Sequence, residues 1–121
     1  MKARPLFLTT ADVLETHEAL GDAFGQPSAL KDLNELELAL SLPTQTFHGE
    51  LIHADLFEIA VAYAFHLARA QAFAAGNERT AVAAALTFLE MNDVRVRNAR
   101  QRLVSSVTLV AMYRRGEPLQ A

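Results

Sequence analysis

The chain has 121 residues, 51% of them hydrophobic, with a mean hydropathy of +0.12 and a net charge of −3. That is enough apolar material for one domain with a real core, and it excludes a disordered composition. The absence of cysteine excludes disulfides and thiolate metal sites and fits a reducing compartment.

The charge is unevenly spread. Residues 1–94 hold thirteen Asp/Glu and five Lys/Arg, a balance of −8, whereas residues 95–121 hold six Arg and one Glu, a balance of +5. The arginines of the basic segment 95–115 have a single aromatic among them, Tyr113, and match no nucleic-acid motif. They read as a solvated helix face, and direct nucleic-acid binding is not expected.

In chain order, Lys2 and Arg4 precede only a short apolar-leaning run, Pro5 to Leu8, too little for a secretory signal. Leu6 to Leu8 reads as a short strand or an extended lead-in. Thr9 or Thr10 caps a first helix in which Val13, Leu14, Leu20 and Phe24 keep helical spacing, and Gly25-Gln26-Pro27 ends it. A second helix is predicted over Leu30 to Leu42, with Leu33, Leu36 and Leu40 on one side and Pro43 as the stop. Residues 44–53 read as a loop or small hairpin around Gly49.

Asp55 caps a longer helix reaching about Gln71. It is apolar nearly all round, which predicts a central, buried helix. Its apolar-rich stretch, between Glu58 and Arg69, falls short of the ~20 residues a membrane span needs. Gly76-Asn77 breaks the pattern, and the next helix runs from near Asn77 to about Met91. The small residues of Ala81 to Leu86 in that helix invite close approach by a neighbour. A last helix is predicted over 98–114. There is no repeat, low-complexity tract or linker. The whole is a mainly α, compact helical bundle in a single domain, residues 1–121.

No phosphate loop of the GxxxxGK[ST] type, no HExxH pair and no GxSxG elbow is present. Of the histidines, His17, His48, His53 and His66, none stands at a familiar metal-ligand spacing. His48 and His53 with Glu50 and Asp55 are the nearest thing to a ligand set, and no metal site is expected there. His66, on the apolar helix, reads as a hydrogen-bonded core histidine. The remaining candidate is QAFAAGNERT, residues 71–80. A helix N-terminus offers unpaired N–H groups and the positive end of its dipole. Gly76 permits close backbone approach, and Arg79 adds a permanent cation suited to phosphate. Asn77 caps the helix or presents its amide to a ligand. The plainer alternative is a helix–turn–helix connection with an incidental arginine.

This stretch resembles the signature of the Fic/Doc superfamily, His-x-Phe-x-(Asp/Glu)-(Gly/Ala)-Asn-Lys-Arg-Thr between two helices, and in particular the death-on-curing (Doc) toxins. Phe73, Gly76, Asn77, Arg79 and Thr80 fall in register with it. FLTTADVLETHEAL is similar to the family's opening helix, ALKDLNELELALSLPTQTFHGE to its second helix and flap, and AVAAALTFLEMNDV to the helix after the motif, so the resemblance covers roughly residues 6–94. It implies a Fic/Doc-type bundle with a small β-hairpin flap, here residues 44–53, over the motif loop 71–80. It implies a bacterial, cytoplasmic toxin of a toxin–antitoxin module, silenced by a Phd-like antitoxin. It also implies transfer from ATP, with magnesium, to a protein hydroxyl. Fic members transfer AMP. Doc members transfer a phosphoryl group to elongation factor Tu and so inhibit translation.

The resemblance assigns catalysis to Gln71 and Arg79, phosphate or nucleotide contacts to Gly76, Asn77, Glu78, Arg79 and Thr80, and packing to Phe73. Three positions depart from the signature. Gln71 stands where the family has its histidine base, and an amide has no pKa near neutrality. Ala75 stands where the family has its acidic metal ligand, so no residue here is assigned to metal. Glu78 stands at the lysine position, and at ~5 Å from a phosphate charge it costs about 3 kcal/mol at an effective dielectric of about 20. His66 lies roughly 140° round the helix from Gln71, too far to replace the base. Three readings follow: a divergent transferase, an inactive binding module that pairs with an antitoxin or other partner, or a detoxified copy. Weak or absent transfer is the expectation, since loss of a general base alone costs ~10²–10⁴-fold.

Overall fold

The computed structural model describes residues 4–51 and 55–94. It contains four helices, α1 (Thr10–Ala23), α2 (Leu33–Ser41), α3 (Leu56–Ala70) and α4 (Asn77–Met91), and a hairpin of β1 (Thr46–Phe47) and β2 (Glu50–Leu51). The mainly helical reading with one small hairpin holds. The predicted basic helix 98–114, the arginine-rich segment 95–115 and His53 lie outside the described residues.

Each helix start has a local cause. Thr9 and Asp12 form a reciprocal capping box on α1: the Thr9 hydroxyl accepts from Asp12 N–H at 3.1 Å, and Asp12 accepts from Thr9 N–H at 2.8 Å. Asp55 caps α3 by accepting from Glu58 N–H at 2.8 Å. α2 begins three residues later than its pattern suggests. Asp32 is its cap, accepting from Glu35 N–H at 3.1 Å, and the preceding residues are extended and hydrogen-bonded elsewhere. Leu36 and Leu40 are buried as expected, but Leu33 is exposed. Pro43 does not stop the chain at once. It sits buried in a 3-10 turn, Leu42–Thr44, that continues α2.

The hairpin pairs Thr46 with Leu51 and Phe47 with Glu50. His48 and Gly49 form its two-residue tip, both at positive φ (52° and 80°), the geometry that suits the right-handed twist of paired strands.

α3 is the central helix: Ile59, Ala60, Ala62, Tyr63, Ala64, Phe65, Leu67 and Ala68 are all buried. It packs most extensively on α4, whose Ala81, Ala84 and Ala85 are buried as well. Alanines on both helices let the backbones approach closely. α1 is buried along Val13, His17 and Gly21, one residue every turn, rather than along the stripe ending at Phe24, which is 63% exposed. A Cβ at Gly21 would lie 3.1 Å from Pro27 Cα, so this glycine lets residues 26–28 fold back across α1.

The N-terminal lead-in is extended and forms no strand. It is strapped to the bundle at two points. Leu6 N–H donates to Asn92 Oδ1 at 2.8 Å while Asn92 Nδ2 donates to Leu6 O at 2.9 Å, and Leu8 N–H donates to Tyr63 Oη at 3.2 Å. Burial pushes the Tyr63 phenol up to about 12, opposed by the bond from Leu8. Because the folded value lies above the ordinary one of about 10, this contribution to stability is complete below pH 10 and lost as pH rises toward 12. Tyr63→Phe is expected to lower unfolding free energy by about 1–2 kcal/mol, by orphaning Leu8 N–H, and to remove that alkaline loss. Denaturant titrations between pH 8 and 11 check both outcomes.

Candidate functional site

The motif loop enters and leaves through left-handed backbone. Gln71 ends α3 at φ 49°, and Gly76 opens α4 at φ 75°. Glycine pays little for that geometry, whereas glutamine pays more. Asn77 neither caps α4 nor faces outward. Gly76 is the cap residue, and Asn77 is the first residue of the helix and is buried. Its amide closes the loop on itself. Phe73 N–H donates to Asn77 Oδ1 at 3.0 Å, and Asn77 Nδ2 donates to Phe73 O at 2.9 Å.

The loop is also stitched to the lead-in of α2. Lys31 N–H and Asp32 N–H donate to Ala72 O at 2.8 and 3.1 Å, Ala74 N–H donates to Ala29 O at 2.9 Å, and Leu30 pairs with Phe73 in an antiparallel bridge. These bonds are why α2 begins late.

Beneath the loop lies a polar cluster that no sequence signal announces. His17 on α1 is buried and stacked on Phe73, with ring centroids 3.7 Å apart. Its Nδ1 is 2.9 Å from Thr80 Oγ1, and its Nε2 is 2.8 Å from Ser28 Oγ and 3.2 Å from Ser28 O. Ser28 Oγ donates to Ala75 O at 2.9 Å. That commits the serine proton, so Nε2 must carry hydrogen and donate to Ser28, and Nδ1 must accept from the Thr80 hydroxyl. Only the neutral imidazole satisfies every partner. Burial and the nearby Arg79 cation hold the His17 pKa below its ordinary value, against the opposing pull of the Ser28 carbonyl. Thr80, expected among the phosphate contacts, is 1% exposed and its hydroxyl is used inside. Beside this cluster is a cleft of about 240 Å³ lined by Leu14, Glu18, Asp22, Pro27 and Leu30 together with His17, Ser28 and Phe73.

The other motif side chains are likewise turned inward or away. Gln71 Nε2 donates to Ala68 O at 2.6 Å, and its Oε1 lies 3.4 Å from Asn77 Nδ2. The amide therefore satisfies the end of α3. Glu78 is exposed in the first turn of α4, where a negative charge complements the helix dipole. Arg79 points back toward the end of α1. Its Nη1 and Nη2 donate to Gln26 Oε1 and Gln26 O at 3.3 and 3.4 Å, its Cζ lies 4.9 Å over the Phe24 ring, and its Nε is buried without a hydrogen-bond partner. Such an orphan donor costs about 1–3 kcal/mol.

His66 is half-buried rather than in the core, with its ring edge-on to Phe65 at 4.9 Å. His48 is exposed at the hairpin tip. Among the described residues no three of His, Asp and Glu gather as a metal site. Ala75 offers magnesium no ligand, so the residues present do not fit that ion, and ATP phosphates would meet only the start of α4 and, if it turned, Arg79.

The Fic/DOC family matches residues 7–89. The chain belongs to that family. Toxin Doc of Mycolicibacterium smegmatis is 39% identical over 74 residues, which cover 61% of this chain and 57% of that protein. The match thus spans less than two thirds of the relative's length. No solved structure matches.

Two outcomes test this geometry. Asn77→Ala leaves the N–H and C=O of Phe73 unpaired and is expected to cost about 2–4 kcal/mol of unfolding free energy in denaturant titration. The folded His17 pKa is lowered, so its contribution is present above pH 6.5 and lost as pH falls through the folded value. The denaturation midpoint is expected to fall as pH drops below 6.5. His17→Gln, weaker at every pH, is expected to flatten that slope.

Proposed function

We propose that this protein is the Doc-type toxin component of a bacterial toxin–antitoxin module, acting in the cytoplasm and paired with a Phd-like antitoxin, and that its transferase chemistry is weak or lost. The toxin assignment is supported by membership of the Fic/DOC family and by the similarity to Toxin Doc. In this reading the ancestral reaction is ATP-dependent transfer to a protein hydroxyl, with elongation factor Tu as the Doc-type target.

One observation carries the loss of chemistry: the polar side chains of Gln71, Asn77 and Thr80 are satisfied by the protein itself. The Gln71 amide is bonded to Ala68 O, the Asn77 amide to Phe73, and the Thr80 hydroxyl to His17. At the base position an amide replaces an imidazole, so nothing there accepts the target hydroxyl's proton. At the acidic position Ala75 has no side-chain oxygen to offer, and its backbone carbonyl is taken by Ser28 Oγ. Glu78 adds a negative charge where a phosphate would need a positive one. The backbone that shapes the loop is intact, which equally favours an inactive module that keeps the fold for binding its antitoxin.

Induction in a bacterial host without antitoxin separates these readings. The unaltered chain is expected to leave growth unchanged, and the variant Gln71→His, Ala75→Asp, Glu78→Lys is expected to arrest it. Arrest by the unaltered chain would falsify the loss of chemistry. If neither chain arrests growth, the binding-module reading replaces the toxin one.

A further inference from the structure

Arg79 is the only cation between Arg69 and Val94, and its guanidinium is stored rather than presented. A planar guanidinium grips a phosphate through two parallel N–H groups along one edge. Here both terminal nitrogens already donate to Gln26, through bonds of 3.3 and 3.4 Å at the long end of the hydrogen-bonding range. The Nε–H is buried with no acceptor. The group lies so close over Gly76 that a Cβ there would come within 2.9 Å of Nε and Nη2.

Every group seen to hold Arg79 comes from one short segment at the end of α1. Phe24 supplies a ring 4.9 Å away and Gln26 supplies its side-chain Oε1 and its backbone carbonyl, while Gly25 between them takes φ 65° to set the two in place. Phe24 is 63% exposed and does not belong to the core. Two long bonds, an exposed ring and one orphan donor make a hold that a better acceptor can break.

We propose that Phe24 and Gln26 form an autoinhibitory latch that holds the Arg79 guanidinium down over Gly76, with both terminal nitrogens occupied, and so closes the loop to phosphate-type anions. This rests on reading the loop as a former phosphate cradle, but it concerns the position of one side chain and needs no transfer reaction. When the latch opens, Arg79 lifts off Gly76 and offers the edge that Gln26 now occupies.

The test is a titration of the full chain with inorganic pyrophosphate, followed by NMR. The Phe24→Ala, Gln26→Ala variant is expected to bind at least ~10-fold tighter than the parent, and adding Arg79→Ala is expected to abolish the gain. Equal affinity of parent and double variant overturns the latch. In the parent, the Arg79 Nε–H resonance is expected to be displaced by the Phe24 ring current and slow to exchange. Phe24→Leu, which keeps an apolar side chain without the ring, is expected to remove the displacement. A parent resonance at the position of a free arginine, or one unmoved by Phe24→Leu, overturns the proposal even if the double variant fails to fold. Neither readout depends on growth arrest, so the latch and the toxin reading fail separately.

Discussion

The pair of hydrogen bonds between the Asn77 amide and the backbone of Phe73 is the constraint on which the site depends. Two helices packed through alanine must be joined by a short loop, and the peptide groups of that loop have no helical partners. A primary amide matches a peptide's donor and acceptor at once, so one side chain closes the turn. The closed turn fixes Phe73 under the loop, and Phe73 in turn stacks on His17. His17 reaches Thr80 on one side and Ser28 on the other, and Ser28 holds Ala75 O. The loop, α1 and the lead-in of α2 are thus one hydrogen-bonded unit.

That unit explains how the loop keeps its shape at positions that depart from the family signature. Its shape is set by Phe73, Gly76, Asn77 and Thr80, which all bond or pack inward. The three departures, Gln71, Ala75 and Glu78, fall on positions that the fold tolerates. Gln71 even finds a structural use on Ala68 O, and Glu78 suits the positive end of α4. Within these ten residues the positions that shape the loop are interleaved with the three departures, so the departures leave the shape standing.

The helices were legible where local chemistry decides them. Asp55 and Thr9 cap what they were expected to cap, and the apolar wrap of α3 marked it as central. The start of α2 was not legible, because residues 29–32 give their hydrogen bonds to the motif loop some forty positions away. Helical spacing placed Phe24 and Leu33 inward, yet both are exposed. For Phe24 the cause is Gly21 and the fold-back of residues 26–28, which decide which face of α1 is covered. His17 carried no signal of its own: its partners Ser28 and Thr80 lie eleven and sixty-three residues along the chain. The turn 71–80 was found only because its order of residues is distinctive. What each of its side chains touches depended on elements that the spacing did not reveal.

The strap formed by Leu6 and Leu8 sets a condition on how the chain reaches this state. Leu6 bonds to Asn92, eighty-six residues later. During synthesis the strap precedes its partner, which does not exist until the last turn of α4 has been made. The α3–α4 pair closes across a short loop, so its contacts carry little chain entropy, whereas the strap must close nearly the whole described chain. Until it does, Phe88 lacks the stacking of Phe7, and Tyr63 lacks its bond from Leu8. The bundle is therefore sealed by the segment that precedes it, and Leu6 waits longest along the chain for its partner.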